Sequence, residues 1–250
     1  MRHFVIAFTT LLAGYALPET ATAQSLTGNV GSAGISAGER SVEARSGIDD
    51  EGNIASRFHY DQALTGWCQL RLIAAFERPD AGNTDFNGLT LENWFQWSEE
   101  NKDGTGFNGG LRFAYTLTDD GEADEAAVRL TLTDKFAQGW EWRANLIAET
   151  ETGGGRGDGI GLETRLQLSR AVDLAWLGTR DWRLGGEIFS EYGNADDIPG
   201  LQDQAHQAHQ AGPVLKAEWD NGLYLQTALR AGLTDGADHW MGKIFIGMAF

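Results

Sequence analysis

The chain is poor in cysteine, in basic residues and in long uncharged stretches. Cys68 is the only cysteine among 250 residues, so no disulfide framework can hold the fold together. Lys and Arg total 19 against 36 Asp and Glu, and the net charge of −17 argues against nucleic acid or anionic lipid headgroups as partners. Beyond residue 23, no apolar, uncharged stretch approaches the roughly 20 residues of a membrane-spanning helix, which excludes a helical membrane protein.

The first residues have the layout of an export signal. A short basic start precedes the apolar, uncharged run 4–17, and Ala21-Thr22-Ala23 supplies the small residues of a cleavage site. This order is typical of a secretory signal peptide, 1–23, cleaved before Gln24. The alternative is an uncleaved anchor, which the run is too short to form because a spanning helix needs about 20 residues.

Apolar and polar residues alternate through the rest of the chain, in segments of about ten residues between Gly-, Asp- and Asn-rich turns. In residues 223–233, LYLQTALRAGL, Leu225 and Leu229 fall on one face and Arg230 on the other, because successive side chains of a strand point to opposite sides. About twelve such strands can be counted, and an even number is typical of bacterial barrels. The segments near 41–49 and 54–63 are the weakest.

The pattern predicts an all-β fold, a single antiparallel up-and-down transmembrane β-barrel over residues 41–250. The Gly-, Ser- and Ala-rich residues 24–40 are predicted to be a periplasmic N-terminal tail. From residue 68 onward the apolar faces of the predicted strands carry no charge. A soluble β-sandwich also alternates, but it would not need every strand to cross the roughly 25 Å of a membrane's apolar band, as ten residues at a ~45° tilt do.

The charged faces of these strands would line the barrel interior. Acids and bases there are nearly balanced and interleaved, as in Arg183/Glu187, Glu141/Arg143 and Glu163/Arg165. They can brace a filled interior or line a narrow aqueous path, and twelve strands lie between the filled and the open barrel sizes. The predicted lumen-lining charges are Arg71, Glu77, Glu92, Arg112, Arg129, Glu141, Arg143, Glu149, Glu163, Arg165, Arg183, Glu187, Glu191, Lys216, Glu218, Arg230 and Lys243.

Aromatic residues concentrate at strand ends, where a barrel meets the membrane–water boundary. Amphipathic rings settle at that boundary, so the pattern predicts an aromatic girdle. With the N terminus in the periplasm, most of these residues fall at the periplasmic rim, and Trp240 falls at the outer one. The predicted girdle consists of Trp97, Trp140, Trp142, Trp182, Trp219, Trp240 and Phe250.

The C-terminal residues alternate and end on an aromatic: Ile244, Ile246, Met248 and Phe250 share one face. This tail resembles the assembly signal of the Gram-negative outer-membrane β-barrel superfamily, which includes the porins. The resemblance implies a place in the outer membrane of a Gram-negative bacterium. It also implies recognition of the terminal Phe by the barrel-assembly machinery, and contact with outer-membrane lipid and lipopolysaccharide. No particular family is indicated.

Other chemistry has weaker support. His206 and His209 are three residues apart, but they lack the further ligands of a metal site, so no metal and no cofactor are predicted. An outer-membrane phospholipase needs a Ser–His pair on the lipid-facing wall, whereas His59 faces the lumen by parity. A protease site at the outer rim would need acidic and His side chains, and His239 beside Asp235 and Asp238 is a weak candidate for it.

The sequence thus favours a passive channel for small solutes or ions, and no enzyme. Two alternatives stay open. One is a non-conducting structural or adhesion barrel that acts through its outer loops, and the other is a lipid-hydrolysing outer-membrane enzyme.

Overall fold

The computed structural model describes residues 26–80, 82–98, 105–119, 123–136, 139–153, 159–174, 178–195 and 207–250, so the predicted signal peptide lies outside the described residues. The described residues form twelve strands: Arg40–Asp49 (β1), Ile54–Ala63 (β2), Cys68–Arg78 (β3), Asp85–Gln96 (β4), Gly106–Thr118 (β5), Asp124–Phe136 (β6), Trp140–Thr152 (β7), Gly161–Val172 (β8), Thr179–Asn194 (β9), Ala208–Trp219 (β10), Leu223–Gly232 (β11) and Trp240–Ala249 (β12). Each strand pairs antiparallel with its chain neighbours, and β1 pairs with β12, so the sheet is a closed barrel. The predicted fold class is confirmed.

The first and last strands close the barrel. Their register runs from Ser41 opposite Ala249 to Asp49 opposite Met241. The N–H of Arg40 donates to the carbonyl of Phe250 at 3.1 Å, and the N–H of Phe250 donates back at 2.8 Å. Closure leaves no strand edge unpaired, as lipid requires. We call the rim with Arg40 and Phe250 the terminal rim, and the opposite one the far rim.

The outside of the barrel is apolar. Phe58, Leu91 and Ile246 are 55%, 51% and 51% exposed, and large exposed apolar residues occur on every strand except β10. A belt of this extent is far larger than the apolar patches that soluble proteins expose to water, and it matches a surface solvated by hydrocarbon.

Several strands are longer than the ten or so residues that the alternation predicts, and some of their ends carry charge. β5, β6 and β7 have 13 residues each and β9 has 16. Asp134 on β6 and Arg170 on β8 lie in the outward register near the terminal rim, beyond the segments that the alternation indicated. The outward face is therefore uncharged in the strand interiors, and charges appear where strands reach the rims. Among the described residues, no helix is long and apolar enough to cross a membrane.

Candidate functional site

The charged residues predicted for the lumen occupy the inward register of their strands. On β8, for example, Glu163 and Arg165 are buried, whereas Leu166 and Leu168 further along the strand are exposed. The same alternation places Lys243 inward between the outward Ile244 and Gly242 on β12. The parity of the sequence was sufficient for this assignment, because side-chain direction in a strand has a period of two residues.

Ion pairs connect the inward charges within and between strands. Glu163 pairs with Arg165 at 2.5 Å, and Glu141 pairs with Arg143, as their spacing suggested. Arg183 and Glu187 do not pair with each other, because residues four apart on one strand are separated by about 13 Å. Arg183 instead lies 3.5 Å from Glu141 on β7.

Glu187 instead reaches across the barrel. Its carboxylate lies 2.5 Å from Lys243 on β12 and 3.6 Å from Arg230 on β11. β10 and β11 separate β9 from β12 in the sheet, so the Lys243 contact spans the interior instead of joining neighbouring strands. This part of the lumen is filled by side chains.

Sequence reasoning left out the inward charges of the first two strands. Glu43 pairs with Arg45 at 2.5 Å and accepts a hydrogen bond from the Tyr224 hydroxyl at 2.5 Å. Asp61 on β2 pairs with Arg71 at 2.5 Å. The alternation could have indicated these charges. Val42 and Ile48 on β1, and Phe58 and Tyr60 on β2, point outward, so the charged residues at the alternate positions point inward.

Residues 26–36 lie inside the barrel. They belong to the predicted periplasmic tail, 24–40, and the structure places them in the lumen instead. Leu26, Val30 and Ala33 are at most 2% exposed. Residues 28–36 adopt no helix or strand, so their buried backbone groups need partners from the wall.

Lumen side chains supply partners for the N–H groups of this segment. The N–H of Gly31 donates to Oδ1 of Asn145 at 2.7 Å, and the Nδ2 of Asn145 donates back to the Gly31 carbonyl at 3.1 Å. The N–H of Ala33 donates to the Thr133 hydroxyl at 3.1 Å, and that of Ile35 to Gln96 at 2.6 Å.

Cationic side chains bind the carbonyls of the same segment. Lys243 donates to the carbonyl of Gly28 at 2.8 Å, and Arg112 donates to that of Ser32 at 3.0 Å. Arg165 and Arg143 make longer contacts of 3.5 and 3.4 Å to the carbonyls of Asn29 and Val30. Backbone dipoles therefore share the lumen cations with the wall carboxylates.

Two cavities lie beside the segment among the described residues. The larger, of about 430 Å³, opens near the terminal rim. Its basic lining residues outnumber its acidic ones: Arg45, Arg71, Arg112, Arg129, Arg143, Arg180 and Lys216 against Glu39, Glu43, Asp61 and Glu218. A smaller void of about 50 Å³ lies deeper, beside Thr27 and Gly28, and has room for a few water molecules only.

The aromatic residues at the rims divide into exposed and covered ones. Trp97, Trp240 and Phe250 are exposed. Trp182 is buried at 8% exposure, and Trp219, which follows a register shift at the end of β10, lines the larger cavity.

Trp67, in the β2–β3 turn, was missed by the strand pattern and stacks on Phe95 with ring centroids 6.1 Å apart. Trp140 and Trp142 lie on the outward register of β7.

The histidines do not assemble a catalytic or metal-binding set in the part of the chain that the structure describes. His59 is buried in the lumen. His239 contacts Asp50 at 2.9 Å instead of Asp235 or Asp238. His209 contacts Gln207, and His206 lies outside the described residues. Within those residues no three His, Cys, Asp or Glu side chains are grouped as a metal would require.

Solved structures of two porins and of an outer membrane channel share this architecture. Neither a protein-family model nor a curated protein sequence matches the chain. The KdgM porin matches with a TM-score of 0.60 and 9% identity, covering 84% of this chain and 99% of that one. The chain therefore shares the closed β-barrel fold of that porin. The NanC porin matches with a TM-score of 0.56 and 8% identity, covering 84% of this chain and 98% of that one.

A third similar structure is an outer membrane channel from Pseudomonas putida F1. It matches with a TM-score of 0.58 and 14% identity, covering 86% of this chain and 97% of that one. Identities this low show a shared fold, and activity has to be argued from the lumen of this chain.

Proposed function

We propose that this outer-membrane barrel is a passive channel for small solutes or ions. The observation that carries the proposal is the polar, charge-lined lumen that opens into the cavity of about 430 Å³ at the terminal rim. A wall built only for stability would not need a charge-lined cavity of this size. The porins and the channel with the same fold are consistent with this function.

The charge of the cavity favours anionic solutes. Basic lining residues outnumber acidic ones, and Arg129 has no carboxylate within ion-pair distance among the described residues. One structure of the KdgM porin is a complex with disordered oligogalacturonate. By analogy of fold, we propose small anionic solutes as the preferred class for this chain.

Single-channel recording in a planar bilayer tests the proposal. Discrete conductance steps are expected, with a reversal potential under a salt gradient that indicates anion preference. Arg129→Gln should reduce that preference because it removes an unpaired lumen cation. Arg170→Gln, which removes an outward-facing cation near the terminal rim, is the matched control and should leave it unchanged. If folded protein that lacks the lumen segment 26–36 shows no conductance steps, the channel is refuted.

One observation favours the second candidate, a non-conducting barrel that acts through its outer loops. Residues 26–36 occupy the lumen, and only a void of about 50 Å³ remains beside Thr27 and Gly28. A barrel closed along its whole length would not conduct. The two candidate functions therefore differ in whether residues 26–36 can leave the lumen.

A further inference from the structure

We propose that residues 26–36 form a displaceable plug that closes the lumen, and that its withdrawal opens the path through the barrel. This inference rests on the proposed channel function and adds its regulation.

The plug runs from one rim of the barrel to the other. Ile35 is bonded to Gln96 at the end of β4, close to the terminal rim. Leu26 packs with Ala55 and Met241, which lie at the far-rim ends of β2 and β12. Ten residues in extended form reach about 30 Å, which is comparable to the span of the strands themselves.

The composition of the plug suits passage through a charged lumen. Residues 26–35, LTGNVGSAGI, carry no charge and few large side chains. A Cβ at Gly31 would lie 2.5 Å from the Arg112 guanidinium, and a Cβ at Gly47 on β1 would overlap the Leu26 carbonyl. Glycine on both sides thus lets the plug backbone approach the wall closely.

The bonds that hold the plug are exchangeable. They come from side chains of the wall, such as Asn145, Lys243 and Arg112, and none belongs to the strand pairing that closes the barrel. A side-chain hydrogen bond to the backbone can be replaced by one to water at small net cost. If cleavage occurs before Gln24, as the sequence predicts, the plug is also a free end of the chain, two residues after its start.

Withdrawal would change the electrostatics of the lumen. Lys243, Arg165, Arg143 and Arg112 each contact a plug carbonyl between Gly28 and Ser32. When the plug carbonyls leave, the N–H groups that had donated to them face the path through the barrel. The open lumen is therefore expected to select anions more strongly than the closed one.

The first test compares the full chain with a deletion of residues 26–36 in planar bilayers. The deletion keeps the predicted cleavage site and the Arg40–Phe250 closure, and heat-dependent gel migration shows whether each barrel is folded. The full chain should be closed most of the time, and the deletion should raise the mean conductance at least about tenfold.

A reversible crosslink tests the plug without deleting it. Ala33→Cys with Thr133→Cys, in a Cys68→Ser background, places a thiol pair at two residues in direct contact, because the N–H of Ala33 lies 3.1 Å from the Thr133 hydroxyl. The oxidised protein should be closed, and reduction should restore openings. Thr133→Cys alone is the control for the lost hydroxyl.

A pair of asparagines gives a matched point-variant test. Asn145→Ala removes two hydrogen bonds to Gly31 and should raise the open fraction by about tenfold. Asn108→Ala removes an equally buried lumen amide that bonds Ser98 instead, and it should leave the open fraction unchanged.

The outcomes separate the plug from the channel. If the full chain and the deletion conduct alike, or if the oxidised crosslink conducts like the reduced form, the plug is refuted and the channel stands. If both folded forms stay silent, the channel itself is refuted, and the plug with it.

Discussion

At the scale of single residues, some lumen ion pairs share a partner and so connect several strands. Arg71 on β3 lies 2.5 Å from Asp61 on β2 and 3.7 Å from Glu92 on β4, so it joins three neighbouring strands. Asp61 also accepts hydrogen bonds from Ser41 and Gln69. Removing one partner of a buried pair is costly because it leaves an uncompensated charge away from water.

We therefore expect Arg71→Met to destabilise the barrel by about 3 kcal/mol. The measurement is the free energy of unfolding in denaturant, with the protein in detergent or lipid. Arg180→Met is the control, because its pair with Glu218 is exposed at the rim and should contribute less than about 1 kcal/mol. Equal losses for the two variants would contradict a buried network.

A second residue-scale contact lies at the far rim and depends on pH. His239 lies 2.9 Å from Asp50 and joins the β11–β12 connection to the β1–β2 turn. The hydrogen bond from His239 lowers the pKa of Asp50 below its ordinary 3.8. At Asp238, by contrast, burial and the nearby charges of Asp49 and Asp50 raise the pKa.

The sign of the pH effect follows from these directions. A carboxyl whose pKa is depressed by folding adds stability above its unfolded pKa, and this stability is lost as the pH falls through the lower folded value. Carboxyl NMR should show Asp50 titrating below 3.8 and Asp238 above it. His239→Gln should raise the pKa of Asp50, and an unchanged Asp50 titration would show that the contact is absent in solution.

At the scale of elements, the last strand has two separable roles. The backbone of Phe250 exchanges hydrogen bonds with Arg40, which closes the barrel. Its ring is among the most exposed apolar groups of the described chain, so it contributes little to packing. The resemblance of this tail to an assembly signal concerns the ring, and recognition by the assembly machinery stays a prediction.

Phe250→Ala separates these roles because it keeps the backbone bonds and removes the ring. We expect less folded protein in the outer membrane, with little change in the unfolding free energy of the purified barrel. Western blotting of folded and unfolded forms measures the yield. Trp97→Ala, an exposed aromatic at the same rim, is the control; a similar loss of yield there would assign the effect to rim aromatics in general.

At the scale of the whole molecule, twelve strands enclose an interior that side chains alone fill incompletely. Ion pairs such as Glu187–Lys243 cross one part of it, and the plug occupies another. The same lumen can therefore be closed without a folded plug domain, because an uncharged, extended segment fits between the charged walls.

The sequence predicted most of the architecture and little of the lumen's interior arrangement. The strands, their number and the inward direction of Arg71 or Lys243 followed from alternation. The partner of Glu187 did not, because Lys243 lies 56 positions away in the chain and meets it only across the closed barrel. The Gly- and Ser-rich residues 26–36 have no periodicity that could indicate where they lie.

What the sequence determined by itself is local: a two-residue period sorts side chains between lipid and lumen, and the alternating tail ends on Phe250. What only the tertiary structure decided is which lumen groups meet, and that residues 26–36 thread between them. The physical reason is that strand parity depends on neighbouring residues, whereas contacts across the lumen exist only after β12 has paired with β1 and the circle of strands is complete.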